Sequence, residues 1–86
     1  MRISVEISMY PLKEVYKPAI IEFIKKLRTY EGLRLETSGM SSQIFGEYDD
    51  VMDALRTEVK GVFQDPGKVV MIMKWLNDDV SGPVKF

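Results

Sequence analysis

The stretch Leu33–Val51, LRLETSGMSSQIFGEYDDV, decides the fold that we predict for this chain. Two short runs of alternating character, Leu33–Thr37 and Met40–Phe45, lie on either side of Ser38-Gly39. Alternation with a period of two is typical of a half-buried strand, and small residues between two such runs are typical of a turn. Gly46 closes the second run, and a helical pattern follows it. The stretch therefore predicts a strand, a tight turn, a second strand and a helix.

The residues before this stretch predict one more strand and one more helix. Ile3–Met9 alternates between apolar and polar residues, which is typical of a half-buried strand. We expect Tyr10-Pro11 to end it, because proline lacks the amide donor that a strand uses. A helical stripe follows, and since proline is tolerated at a helix start, we expect this helix to begin at Lys17 or Pro18. Leu12–Tyr16 is then a loop.

The second helix and the last strand follow Gly46. Asp49 or Asp50 is a suitable N-cap, because its side chain can accept from the first free amides of a helix. The helical spacing continues as far as the turn signal Asp65-Pro66-Gly67. Val69–Leu76 then predicts a strand that is apolar on both faces. Val70, Ile72 and Leu76 share one face, and the other carries Val69, Met71, Met73 and Trp75.

This order of elements predicts an α+β fold of the ferredoxin-like βαββαβ type. Such a fold has a four-stranded antiparallel sheet with two helices on one face. The first and third strands lie in the centre of the sheet, and the second and fourth lie at its edges. We expect the 86 residues to form a single domain, with 77–86 as a loosely ordered tail.

The helix-free face of the predicted sheet indicates self-association. We expect Phe45, Met71, Met73 and Trp75 to point toward this open face. A large exposed apolar patch usually marks an interface. We therefore predict a homodimer or homotetramer, joined through the open face or through the edge of the last strand.

The composition excludes several classes of function. The chain has no Cys and no His, so thiolate metal sites are excluded and the commonest general base is missing. We expect no metal site and no cofactor, and an enzyme would have to work with carboxylates, Lys, Tyr or Ser alone. The net charge of −1, without a basic stripe, argues against nucleic acid as a partner. Because no run of about 18 apolar residues exists, and because Met1-Arg2 leads straight into a strand, we expect no membrane insertion and a cytoplasmic location.

Small hydroxyl residues near the ends of the predicted strands are the best candidates for a binding site. Thr37 and Ser42 share strand parity with the core-facing Leu35 and Ile44, and hydroxyls on an inward face need hydrogen-bond partners. A small polar molecule under the sheet edge would supply them, and nearby carboxylates could accept from its amine. The candidate ligand-binding residues are Glu6, Ser8, Tyr10, Thr37, Met40, Ser41, Ser42 and Glu47.

Each of these residues also has a purely structural interpretation. Ser8 and Tyr10 can simply terminate a strand. Serines are common near turns because they hydrogen-bond the local backbone. Glu6 and Glu47 can be solvated surface carboxylates. The residue pattern by itself therefore leaves a binding site and an ordinary surface both open.

Two segments together resemble the YkoF-like thiamine-binding family. The first segment is Glu6–Leu12, EISMYPL, in which Ser8 and the Tyr-Pro-Leu that follows match the end of the family's first strand. The second is Thr37–Glu47, TSGMSSQIFGE, whose threonine, small hydroxyl pair and Gly-Glu match the family's hairpin. The pair is Ser41-Ser42 here, where the family usually has a threonine in its second position. The similarity spans about Ile3 to Leu76.

The resemblance implies a ferredoxin-like fold, assembly through the sheets, and a site for thiamine or its hydroxymethylpyrimidine moiety, without catalysis. Serine and threonine hydroxyls can both donate to and accept from an aminopyrimidine. Glu47, Asp49 and Asp50 would repel a phosphate, so we expect the unphosphorylated ligand. The expected role is transport, salvage or regulation of thiamine. The alternative is a ligand-free interaction module that uses the apolar sheet face.

Overall fold

The computed structural model describes all 86 residues and confirms the predicted order of elements. It consists of four strands and two helices: β1 Arg2–Pro11, α1 Lys17–Leu27, β2 Arg34–Thr37, β3 Ser42–Glu47, α2 Tyr48–Gln64 and β4 Val69–Leu76. Neither helix combines the length and apolar character needed to cross a membrane.

The four strands form one antiparallel sheet in the order β2-β3-β1-β4, so the first and third strands are central as predicted. Both helices pack on one face of this sheet and form an α+β fold of ferredoxin-like type. The core consists of nine buried side chains from β1, β3 and the two helices: Ile3, Val5, Ile7, Phe23, Leu27, Ile44, Val51, Ala54 and Leu55.

Several boundaries differ from the sequence-based expectation. β3, expected over Met40–Phe45 and closed by Gly46, runs from Ser42 to Glu47. β1 continues through Pro11, which pairs with Val69. The Leu12 amide donates to Lys68 of the segment that leads into β4. Because successive amides of a strand point to opposite edges, the Pro11 nitrogen points to the edge of β1 that has no strand partner here. A proline, which has no amide proton, is therefore tolerated at this position. α2 begins at Tyr48, so Asp49 and Asp50 lie in its first turn and are not its N-cap.

The faces of β4 are the reverse of those predicted. Trp75, Met73 and Met71 pair with Val5, Ile7 and Met9 of β1 and therefore lie on the helix side of the sheet. Residues that lie opposite each other on paired strands point to the same face of the sheet. The prediction was wrong because β4 is apolar on both faces, so its sequence does not indicate which face packs against the helices. Of the residues predicted to point toward the open face, only Phe45 does so, because it pairs with Ser4. Val70, Ile72 and Leu76 occupy the open face of β4.

The tail segment Asp78–Gly82 lies across part of the open face. Ser4 Oγ donates to the Asp78 carbonyl (2.7 Å) and accepts from the Val80 amide (3.1 Å), and the Gly82 amide donates to Glu36 Oε2 (3.0 Å). Phe45 is only 2% exposed although it lies on the helix-free face. The segment that we expected to be loosely ordered thus makes specific contacts as far as Gly82, and the open face is partly covered.

An ion pair joins this tail to the start of β1. Arg2 Nε donates to Asp79 Oδ2 (2.6 Å), and the Ser81 amide donates to Asp79 Oδ1 (3.0 Å). Hydrogen bonds from Ser81, followed by the one from Arg2, lower the pKa of Asp79 from 3.8 to about 2. Because the pKa of Asp79 is lower in the folded state, its ionised carboxylate adds to the free energy of unfolding. This contribution is fully present above pH 3.8 and is lost as the pH falls through about 2.

We predict that the amide proton of Ser81 reports this titration. In NMR spectra its chemical shift should follow a midpoint near pH 2, and the Asp79→Asn variant should remove that transition. A midpoint near the ordinary value of 3.8 would show that the tail carboxylate has no such contacts in solution.

We also predict that Leu27→Ala destabilises the fold by about 2–5 kcal/mol, because Leu27 is fully buried and its removal leaves a cavity. Leu76→Ala is the matched control, since Leu76 lies on the open face and is 45% exposed. Urea unfolding should separate the two variants clearly. Equal losses of unfolding free energy would contradict the core described above.

Candidate functional site

The candidate site lies where β1 continues beyond Ser42, the first residue of its antiparallel neighbour β3. β1 pairs with β3 only as far as Ile7, which lies opposite Ser42, but it pairs with β4 as far as Pro11. Ser8–Pro11 therefore has a neighbouring strand on one side only. Because successive backbone groups of a strand point alternately to its two edges, part of this stretch presents backbone groups without a strand partner.

A cavity of about 480 Å³ occupies this gap. It is bounded by the end of β1, by the turn between β2 and β3, and by the first two turns of α1. Seven apolar or aromatic side chains from β1, the following loop and α1 form much of its wall: Ile7, Met9, Leu12, Tyr16, Ile20, Phe23 and Ile24. Such a volume, apolar with a few polar groups, is typical of a small-molecule site.

Five of the predicted ligand-binding residues line this cavity. Ser8 and Tyr10 lie on the unpaired end of β1, while Met40, Ser41 and Ser42 come from the hairpin. They meet because the hairpin brings the start of β3 alongside Ile7, so the turn that precedes β3 faces the free end of β1. Residues from two separate segments of the sequence thus converge on one site.

Thr37 and Glu6 lie behind the wall of the cavity. Thr37 pairs with Ser42 across the hairpin, and their hydroxyl oxygens are 3.2 Å apart. Ser41 Oγ donates to Glu6 Oε2 (3.1 Å), and Lys74 Nζ lies 3.6 Å from the other oxygen of Glu6. Both residues therefore reach the site through a serine that lines it.

Glu47 is the predicted residue that the structure does not bring to the cavity. It lies at the far end of β3 from Ser42, a separation of roughly 17 Å along a strand. Its carboxylate is 3.3 Å from the amino terminus and 3.8 Å from Arg2 Nη1. Closeness to the hairpin in sequence did not translate into closeness in space, because β3 leads away from the turn.

The wall that α1 and the loop before it contribute was not predicted from the sequence. Ile20, Phe23 and Ile24 form a helical stripe, which predicted a core-facing side but not a partly open one. Ser38 and Gly39 also line the cavity. The expected strand bounds, Ile3–Met9 and Met40–Phe45, gave no signal of this gap, because the continuation of β1 through Pro11 was not expected.

The cavity wall carries no charged side chain. The Glu6 carboxylate accepts from Ser41, which lines the cavity, but Glu6 does not line it. The structure brings together no group of three acidic side chains that could hold a metal ion. The lining is therefore suited to the neutral, largely apolar part of a ligand that carries a few hydrogen-bonding groups.

No protein-family model matches this chain, and no curated protein matches it significantly. Solved structures of similar fold do exist. Protein SP2199 from Streptococcus pneumoniae has a TM-score of 0.81 at 21% identity, over 93% of this chain and 90% of that one. A Thermotoga maritima protein, TM0486, provisionally assigned to thiamine biosynthesis or salvage, has a TM-score of 0.76 at 19% identity, over 94% of this chain and 85% of that one.

A domain of unknown function of the DUF77 type, from Bacillus cereus, has a TM-score of 0.63 at 22% identity. The match covers 99% of this chain and 84% of that one. At these identities the likeness shows the fold.

Proposed function

We propose that this protein binds thiamine or its hydroxymethylpyrimidine moiety in the cavity beside the free end of β1, without catalysis. The observation that carries this proposal is the convergence of Ser8, Tyr10, Met40, Ser41 and Ser42 on one uncharged cavity. These residues belong to the two segments that resemble the thiamine-binding family. The thiamine-related assignment of one protein of similar fold gives independent support.

The chemistry of the cavity suits a flat heterocycle. Tyr10 and Tyr16 offer aromatic faces, and Phe23 contributes an apolar wall. Serine hydroxyls and the free strand edge offer donors and acceptors to ring nitrogens and to an exocyclic amine. No Lys or Arg lines the cavity, so no positive side chain there would balance the negative charge of a phosphate group. We therefore favour the unphosphorylated ligand and a cytoplasmic role in thiamine transport, salvage or regulation.

We predict that Ser42→Ala and Thr37→Val each weaken binding of the pyrimidine about three- to tenfold, the usual effect of losing one hydrogen bond. Thr37→Val keeps the shape of the side chain, so it isolates the hydroxyl that contacts Ser42. Thr57→Val is the control, because Thr57 lies exposed on α2 and away from the cavity. Isothermal titration calorimetry measures all four dissociation constants.

Binding by the wild type that neither variant weakens would place the site elsewhere. A wild type that binds neither thiamine nor the pyrimidine at millimolar concentration would contradict the proposal. The alternative interpretation, a ligand-free interaction module, would then account better for the exposed apolar surface.

We further propose that the protein forms a homo-oligomer through the outer edge of β4. This edge pairs with no strand, and β4 is eight residues long. Because the Leu12 amide donates to Lys68 on the inner side, strand alternation places the amides of Met71, Met73 and Trp75 on the outer side. Long, unprotected apolar edges tend to pair with another strand.

An apolar groove of about 660 Å³ runs beside this edge, between α2 and β4. Trp75 and Phe63, which are 47% and 57% exposed, contribute to it. A second copy related by a two-fold axis could pair its own β4 with this edge and cover both grooves at once, because a two-fold interface uses the same patch on both subunits.

We predict that Trp75→Ala shifts the assembly toward the 10-kDa monomer in sedimentation velocity experiments at micromolar concentration. Ile72→Asp tests the open sheet face instead, because Ile72 points to that face. Ile21→Asp on α1 is the control for adding a charge at an exposed apolar position. A wild type that is monomeric would contradict self-association, and disruption by Ile72→Asp alone would assign it to the open face.

A further inference from the structure

We infer that the open face of the sheet carries a second small-molecule site, suited to a zwitterion with a short aliphatic side chain, such as a free aliphatic amino acid. The site is a depression of about 230 Å³ between the sheet and Val80 of the tail segment. It shares no lining residue with the cavity beside the free end of β1. The inference therefore does not depend on the proposed function.

A row of polar side chains forms one half of the depression. Glu6 lies opposite Gln43 of β3 and opposite Lys74 of β4, so these three side chains share the open face. All three line the depression. Glu6 offers a carboxylate, Lys74 offers an ammonium group, and Gln43 offers an amide that can donate and accept. The row therefore holds one partner for each charge of a zwitterion.

An apolar row forms the other half. Ser4 lies on the same face, opposite Phe45 on one side and Leu76 on the other. Its hydroxyl is already occupied by the tail, because it accepts from the Val80 amide (3.1 Å) and donates to the Asp78 carbonyl (2.7 Å). What remains for a ligand is the apolar surface of Phe45, Leu76 and Val80. This half is therefore suited to an aliphatic group.

The two charged side chains of the polar row are close but not tightly paired. Lys74 Nζ lies 3.6 Å from Glu6 Oε1, which is longer than an ordinary hydrogen bond, and the Lys74 side chain is 81% exposed. Exposed ion pairs contribute little to stability, so separating this pair costs little. Glu6 itself stays in position, because its other oxygen accepts from Ser41 (3.1 Å).

A zwitterion can therefore lie between these two side chains. Its ammonium group would donate to Glu6, and its carboxylate would accept from Lys74. Both contacts are charge-assisted hydrogen bonds, which are shorter and stronger than neutral ones. An aliphatic α-amino acid carries both charged groups on one carbon and an apolar side chain beside them. This arrangement matches the polar row and the apolar row next to it.

The experiment is an NMR titration of the full chain with L-valine and with two analogues that each lack one charged group, isobutylamine and 3-methylbutanoate. Valine should bind with a dissociation constant of about 1 mM or tighter, with amide shift changes at Glu6, Gln43, Lys74 and Val80. Each analogue should bind at least about tenfold more weakly, because it loses one charge-assisted hydrogen bond.

Two variants assign the two charges. Glu6→Gln should remove the advantage of valine over 3-methylbutanoate, and Lys74→Gln should remove its advantage over isobutylamine. Lys26→Gln is the matched control, because Lys26 Nζ also lies 3.6 Å from a carboxylate, that of Glu22, but on α1. This control should bind valine as the wild type does, and melting curves should show that all variants fold.

Three outcomes would overturn the inference, and each leaves the proposed function standing. The first is a wild type that does not bind valine at about 10 mM, ten times the expected dissociation constant. The second is equal binding of valine and both analogues, since the charged side chains would then contribute nothing. The third is a set of shift changes confined to Ser8–Leu12 and Ser38–Ser42, which would place valine in the cavity beside β1.

Discussion

The site depends on one mismatch of length, because β1 has ten residues and its neighbour β3 has only six. Pairing between them starts at Arg2 with Glu47 and stops at Ile7 with Ser42, so the last residues of β1 have a strand on one side only. Hydrogen bonding to β4 keeps this free end straight as far as Pro11. A rigid strand edge, a turn and the side of α1 therefore enclose a cavity without any special backbone conformation.

Polar contacts around this cavity follow from the same pairing. The hairpin sets Thr37 opposite Ser42, and the β1–β3 register sets Glu6 opposite Gln43, two residues from Ser41. The carboxylate therefore lies close enough to accept from the serine. The charged side chain of Glu6 contacts Ser41 and does not line the cavity, whose wall is neutral.

Much of the fold could be predicted from sequence, because hydrophobic periods of two and of about 3.6 residues mark strands and helices directly. The faces of β4 could not, since Met71 and Ile72 are both apolar and only the register with β1 decides which of them faces the helices. The contacts of the tail could not either, because Asp, Ser and Gly form hydrogen bonds that leave no periodic signal.

Five residues that line the candidate site were predicted together from the sequence. They lie at the end of β1 and in the β2–β3 hairpin, and the predicted strand order makes these two segments neighbours. Glu47 was expected at the site because it is close to the hairpin in sequence. It lies away from the cavity because β3 runs away from the turn and ends at Glu47. The wall from α1 was missed because a helical apolar stripe has the same sequence pattern whether it covers a sheet or borders a gap.

The most direct test of this account is to record backbone amide NMR spectra of the protein during titration with hydroxymethylpyrimidine. We expect shift changes concentrated in two segments, Ser8–Leu12 and Ser38–Ser42, with smaller changes at the start of α1. Changes concentrated along the outer edge of β4 or on the open sheet face, with these two segments unaffected, would contradict it.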